Sequence, residues 1–267
     1  MKKNDNLATK PKFEEDRLDL YSDLLIRRDQ LFKEAASLQI AYTREFGEQL
    51  IENFELKVEC IRMKKNISYC RRMLNRGLQI NVNAMNEAVD KEMALYKMQL
   101  ADLKGEYRRS RESKPAGEYE YMRCKKIYRR LSKLIHPDVN AATGNNDELR
   151  DLWERITNAY HANDLEGLEE LEVLVRRALE ELGDEAFDMD IEDLEDRIER
   201  VETQINEIIT TEPYTFSEIL EDDEKKKSLH DQLSVEHSDY EEYLETLKKA
   251  LNELLLGKGM NTTWEMN

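Results

Sequence analysis

Along most of this chain, apolar side chains return every three or four residues with charge between them. Leu31, Leu38, Tyr42, Phe46, Leu50, Phe54, Val58 and Ile61 recur at steps of three, four or seven, which predicts one long helix from about Phe13 to Asn75. The stretch "NRGLQINVN" interrupts it. Gly77 suits the position just past a helix end, and Asn81 or Asn83 can cap the next helix. Val82, Met85, Val89, Met93, Tyr96, Leu100, Leu103 and Tyr107 then predict a second helix over about 84–112. A short turn between two such helices implies an antiparallel hairpin, residues 13–113, in which each helix hides the other's apolar seam. "SKPAG" ends it, because Pro115 and Gly117 both interrupt helices.

Residues 114–184 read as a separate module of three shorter helices. Beyond it, Asp188 or Asp190 can cap a helix whose seam is Ile191, Leu194, Ile198, Val201, Ile205 and Ile208. Pro213 turns the chain, and Leu229, Leu233, His237, Tyr240, Leu244, Leu247, Leu251 and Leu254 form the returning seam. Residues 185–257 are therefore expected to make a second antiparallel coiled-coil hairpin. His237 is read as a seam residue whose polar tip reaches the edge of the interface, not as a pH or metal site. Residues 1–12 and 258–267 lack such a pattern and are expected to be loose. The expected fold class is all-α.

Composition agrees with long helices. There are nine Gly and four Pro, 37% of residues are charged, and only 7% are aromatic, which argues against a β-sandwich or barrel. The net charge of −17 is unevenly spread. Residues 1–135 hold 29 Lys and Arg against 21 Asp and Glu, a net +8, whereas residues 136–267 hold 12 against 37, a net −25. Such an acidic half argues against general nucleic-acid binding, and the basic half lacks the aromatic–basic interleaving of a single-strand binder. Cys60, Cys70 and Cys124 are scattered without a CxxC pair and read as reduced thiols. No apolar run follows the N-terminal lysines and none reaches the ~20 residues of a membrane span, so a cytoplasmic protein is expected.

Chemistry concentrates in "KKIYRRLSKLIHPDVN", residues 125–140. Tyr121, Cys124, Tyr128, Leu131 and Ile135 share one helical face, while Lys125, Lys126, Arg129, Arg130 and Lys133 occupy the rest. Pro137 has no amide hydrogen and disfavours α geometry at the residue before it, so the helix must stop at or just before His136. An imidazole, a rigid kink and the Asp138 carboxylate are then expected to project at one exposed corner beside a basic face. A second helix from near Asp147, with Leu149, Trp153, Ile156 and Tyr160 on one side, should pack antiparallel on the first. Asp164 can cap a third, with Leu165, Leu168, Leu171, Val175, Leu179 and Leu182 inward.

"CKKIYRRLSKLIHPDVN" followed by "LWERITNAY" resembles helix II, the His-Pro-Asp loop and helix III of a J-domain, the DnaJ-like cochaperone module. Tyr128, Arg129, Arg130 and Leu131 match the basic segment before the tripeptide, Lys125 an upstream basic position, and Trp153, Ile156, Ala159 and Tyr160 the helix III pattern. The resemblance covers about residues 118–162. It implies binding to a DnaK-type heat-shock chaperone and stimulation of its ATP hydrolysis. His136, Pro137 and Asp138 would carry the signal, and Lys125, Lys126, Arg129, Arg130 and Lys133 the affinity. No close match to the family's helix I lies upstream, where Leu100, Leu103 and Tyr107 could serve instead. The usual Lys-Tyr before the tripeptide is Leu134-Ile135, and no Gly/Phe-rich linker or zinc repeat follows.

Two readings stay open. One is a cochaperone whose coiled-coil arms bind a client or a second copy of the chain. The other is a coiled-coil scaffold with a degenerate J-like fold. No Cys or His stands at ligand spacing from His161, and no phosphate loop or nucleophile motif occurs, so no metal, cofactor or enzymatic activity is expected.

Overall fold

The computed structural model describes residues 12–113, 117–183 and 193–257. The expected loose ends, the break at Pro115, the cap at Asp188 or Asp190 and the seam residue Ile191 fall outside these residues. Every regular element among them is helical. The chain divides into two compact units. The first takes the described residues up to Leu38 and from 117 to Thr215. The second takes Gln39–Ser113 and the described residues from Phe216 on.

The long helix α1, Lys12–Asn75, contributes its first part to one unit and the remainder to the other. In the second unit, α1 is followed by α2 (Val82–Glu92), α3 (Ala94–Glu112), the short α9 (Ser217–Leu220) and α10 (Asp223–Leu255). Gly77 adopts φ +68, the left-handed geometry that glycine reaches without strain, and Asn81 accepts a hydrogen bond from the Ala84 amide as the N-cap. The helix expected over 84–112 is interrupted at Met93, which is fully buried. Cys60, Ile67 and Cys70 of α1 pack with Met85 and Val89 of α2, with Met93, and with Leu244, Leu247 and Leu254 of α10. All three cysteines are free and buried. His237 sits half-buried at the edge of this core, its Nδ1 3.0 Å from Asn53 Oδ1.

Gly47 permits a close approach: a Cβ there would lie 2.6 Å from the Tyr107 ring of α3. Gly47→Ala is expected to cost stability, about 1–2 kcal/mol, because overpacking outweighs the helix-propensity gain. Gly105→Ala, which would meet only the end of the Arg109 side chain at 3.4 Å, is expected to gain up to about 1 kcal/mol. Urea denaturation of the two variants beside the parent checks the opposite signs.

The first unit contains α4 (Glu118–Ile135), α5 (Ala141–Asn145), α6 (Asp147–Ala162), α7 (Leu165–Leu182) and α8 (Leu194–Thr210), with the start of α1. Its main core is a three-helix cluster. Cys124, Ile127, Tyr128, Leu131 and Ile135 of α4 meet Leu149, Leu152, Ile156 and Tyr160 of α6 and Leu168, Leu171, Val175 and Leu179 of α7. A smaller cluster joins Tyr21 and Leu25 of α1 to Val139 and to Ile198 and Val201 of α8.

Two expectations need correction. The hairpin expected over 185–257 straddles the division between Thr215 and Phe216, and α8 and α10 each bury their seams within their own unit. Leu100, Leu103 and Tyr107, suggested as a substitute helix I, belong to the second unit. The third helix against α4 and α6 is α7, which follows them in sequence. The cause is common to both: an apolar seam specifies that a face is buried, and many seams of equal period can bury it. Among the described residues no helix is long and apolar enough to cross a membrane.

Candidate functional site

The corner after α4 is built as proline chemistry requires. His136 leaves the helix with φ −62 and ψ 125, while its amide still donates to Ser132 O at 3.0 Å. Its carbonyl accepts from the amides of Val139 and Asn140 at 2.9 and 2.8 Å, closing a tight turn around Pro137. The Asn140 side chain donates to Leu134 O at 2.8 Å and accepts from the Ala142 amide, which caps α5, a helical turn inside what reads in the sequence as a plain loop. Asn146 caps α6 through the amides of Glu148 and Leu149, and Asp164 caps α7 through Gly167. The Tyr128 and Tyr160 rings stack at 4.0 Å and hold α4 against α6.

The eight residues singled out in the sequence do not form one open surface. Asp138 is exposed and Pro137 half-exposed. His136, expected to jut outward, is only 4% exposed, which overturns that expectation. Arg130 turns to α7, where it makes two hydrogen bonds of 2.9 Å to Glu172. Arg129 and Lys133 are exposed but both pair with Asp23 of α1, at 3.1 and 3.2 Å. Lys125 is half-buried and Lys126 exposed, and neither makes an ion pair with the described residues.

His136 is enclosed by α1 on one side and α6 on the other. Asp29 accepts a hydrogen bond of 2.7 Å from the Tyr128 hydroxyl, and its Oδ2 lies 3.9 Å from His136 Nε2. Asp29 is itself held by Arg28 through contacts of 3.1 and 2.9 Å. On its other side the imidazole packs against Trp153 of α6, ring centres 4.7 Å apart. Its Nδ1 accepts from the Asp138 amide at 3.1 Å, which places the proton of the neutral ring on Nε2, toward Asp29. One turn further, Lys33 is buried: its ammonium donates to Tyr160 O at 2.5 Å and sits 3.7 Å from the centre of the Tyr160 ring. A groove of about 470 Å³ runs beside these groups, lined by Phe32, Tyr128, His136, Trp153, Thr157 and His161 among others.

The electrostatics follow from this burial. Desolvation lowers the His136 pKa, with Asp29 and Asp138 opposing it, so the ring is neutral at pH 7. Desolvation also pushes Lys33 down to about 8. It raises the Tyr128 hydroxyl far above its ordinary range, with the Asp29 charge adding to the effect. Tyr160 moves the same way, chiefly through its own burial. The site is thus a largely buried, hydrogen-bonded contact between α1 and the α4–α6 pair with a groove beside it. Among the described residues no group of three His, Cys, Asp or Glu could hold a metal ion.

Sequence reading missed Asp23, Asp29 and Lys33. The available signal was the apolar pair Tyr21 and Leu25, four apart in a helix, which marks a buried face upstream of the long seam. Nothing in the spacing of the two aspartates names the residues they meet about a hundred positions later. No protein-family model, curated protein or solved structure matches this chain.

Proposed function

We propose that this chain is a J-domain-type cochaperone that engages a DnaK-type ATPase through the corner after α4 and stimulates its ATP hydrolysis. The observation that carries the reading is the exposed Asp138 carboxylate on a proline-stiffened turn, beside the exposed cations Lys126, Arg129 and Lys133. A stiff turn between two packed helices loses little entropy on binding, and a row of cations speeds encounter with an acidic surface. In this reading Lys125 and Arg130 lend charge from the flanks of the helix. His136 acts only when α1 leaves it. The second unit would offer the surface for a client or a second copy of the chain.

The decisive substitution is Asp138→Asn. His136→Gln would disturb a buried ring and its Trp153 contact, whereas the Asp138 side chain is exposed. The parent protein is expected to raise the ATPase rate of its DnaK-type chaperone, and Asp138→Asn to reduce the stimulation at least about tenfold, with unchanged helical content. Absence of stimulation by the parent and by every variant with a freed His136 would leave the scaffold reading. That reading has its own support in the burial of His136 and the pairing of Arg129 and Lys133 within the unit.

A further inference from the structure

The face on α4 that suits an acidic partner already meets two carboxylates of the same unit, Asp23 and Asp29 of α1. Asp23 takes Arg129 and Lys133, Asp29 takes the Tyr128 hydroxyl and faces His136, and Tyr21 and Leu25 bury between Val139, Ile198 and Val201. Carboxylates thus stand opposite two of the cations and the imidazole that the proposed function needs.

We infer that residues 21–33 of α1 are a displaceable cover: an intramolecular competitor that occupies the docking face of α4 and must leave before an acidic protein surface can bind there. The identity of the excluded partner rests on the cochaperone reading; the cover itself does not.

Two features make the segment removable. The apolar core of α4, α6 and α7 contains no apolar side chain of α1; from that helix it is met by polar groups, Asp29 on the Tyr128 hydroxyl and Lys33 on Tyr160. The Asp23 pairs are solvent-exposed, with side-chain exposures of 40–57%, and pairs of that kind hold weakly. The apolar anchors, Tyr21 and Leu25, hold more firmly, being 3% and 1% exposed. The closed form therefore dominates, and apparent affinity for a partner falls in proportion to the open fraction. Whatever binds residues 21–33 more tightly than α4 does would switch the module on.

The test uses the full chain and two variants. Asp23→Arg places a cation against Arg129 and Lys133, and Leu25→Ala removes an apolar anchor without touching the three-helix core. Exposure of His136 is read by its rate of modification with diethyl pyrocarbonate, followed residue by residue by mass spectrometry with half-exposed His237 as internal reference. Circular dichroism confirms the fold. In the parent, His136 is expected to react far more slowly than His237. Each variant should speed its modification tenfold or more, and stimulation of the DnaK-type ATPase should rise in the same order. If His136 stays protected in both folded variants, or is as reactive as His237 in the parent, the cover is refuted. If His136 becomes reactive while ATP hydrolysis never responds, the cover stands and the cochaperone assignment falls.

Discussion

Lys33→Met is expected to stabilise the protein at pH 7 and to lose that advantage in alkali. Lys33 is 3% exposed, and burial lowers its pKa from 10.5 to about 8. A depressed lysine pKa means that the folded state resists the charge that the unfolded chain carries freely. At pH 7 both states bear the proton and the full cost of burying it is present. Between pH 8 and 10.5 the folded state has released the proton while the unfolded state still binds it, so parent stability rises with pH across that window. The shift corresponds to about 3 kcal/mol in all. Methionine keeps the aliphatic length and removes the charge, at the loss of one hydrogen bond to Tyr160 O, which still accepts from the Asn163 amide at 3.2 Å. The variant should therefore be more stable than the parent by about 1–2 kcal/mol at pH 7 and less stable by a similar amount near pH 10. Guanidinium denaturation at the two pH values measures the crossing. A difference that does not change with pH would show that the Lys33 ammonium is better solvated than its burial indicates.

Why a protein should keep so uncomfortable a lysine bears on the cover. The same side chain caps the carbonyl end of α6 at Tyr160 and lies on its ring, so it fixes how far along α6 the α1 segment sits. A buried charge with one well-placed acceptor tolerates few alternative registers.

The legible part of the sequence was whatever a single helix decides for itself. Pro137 stops α4 at His136 by its own covalent geometry, and Gly77, Asn81 and Asp164 do their work within a few residues. The inward faces of α4, α6 and α7 follow from a 3.6-residue period, and Leu168, Leu171, Val175 and Leu179 are buried as that period requires. What the period cannot do is choose a partner. The seam of α8 meets Tyr21 and Leu25, and that of α10 meets α1 and α2 near Cys70 and Met85, though both read as the two halves of one hairpin. The candidate site was half legible for the same reason. That His136 and Asp138 flank a stiff turn is local. That a carboxylate from α1 lies over the imidazole depends on a tertiary choice made by apolar residues elsewhere.

Asp29→Ala is expected to be among the most destabilising single changes outside the apolar core, costing about 2–4 kcal/mol. Asp29 is 14% exposed at its side chain and binds two groups at once, the Tyr128 hydroxyl at 2.7 Å and Arg28 through its other oxygen, with the His136 ring nearby at 3.9 Å. Removing it strands a hydroxyl on a residue that is 1% exposed, and an unpaired buried donor costs about 1–3 kcal/mol beyond the lost bond. Tyr128→Phe removes the donor instead. Asp29 then keeps Arg28, and the ring keeps its stack on Tyr160, so the loss should be near 1 kcal/mol. The double variant should cost less than the two single changes together, by about 1–2 kcal/mol, because once the hydroxyl is gone the carboxylate has nothing to satisfy there. Equilibrium denaturation of the four proteins at pH 7 gives the coupling directly. Additive losses would mean that Asp29 and Tyr128 are not bonded in solution. In that case the α1 segment would be held by its apolar anchors, the Asp23 pairs and Lys33 without help from Asp29, and the loss of that carboxylate would leave the face of α4 covered.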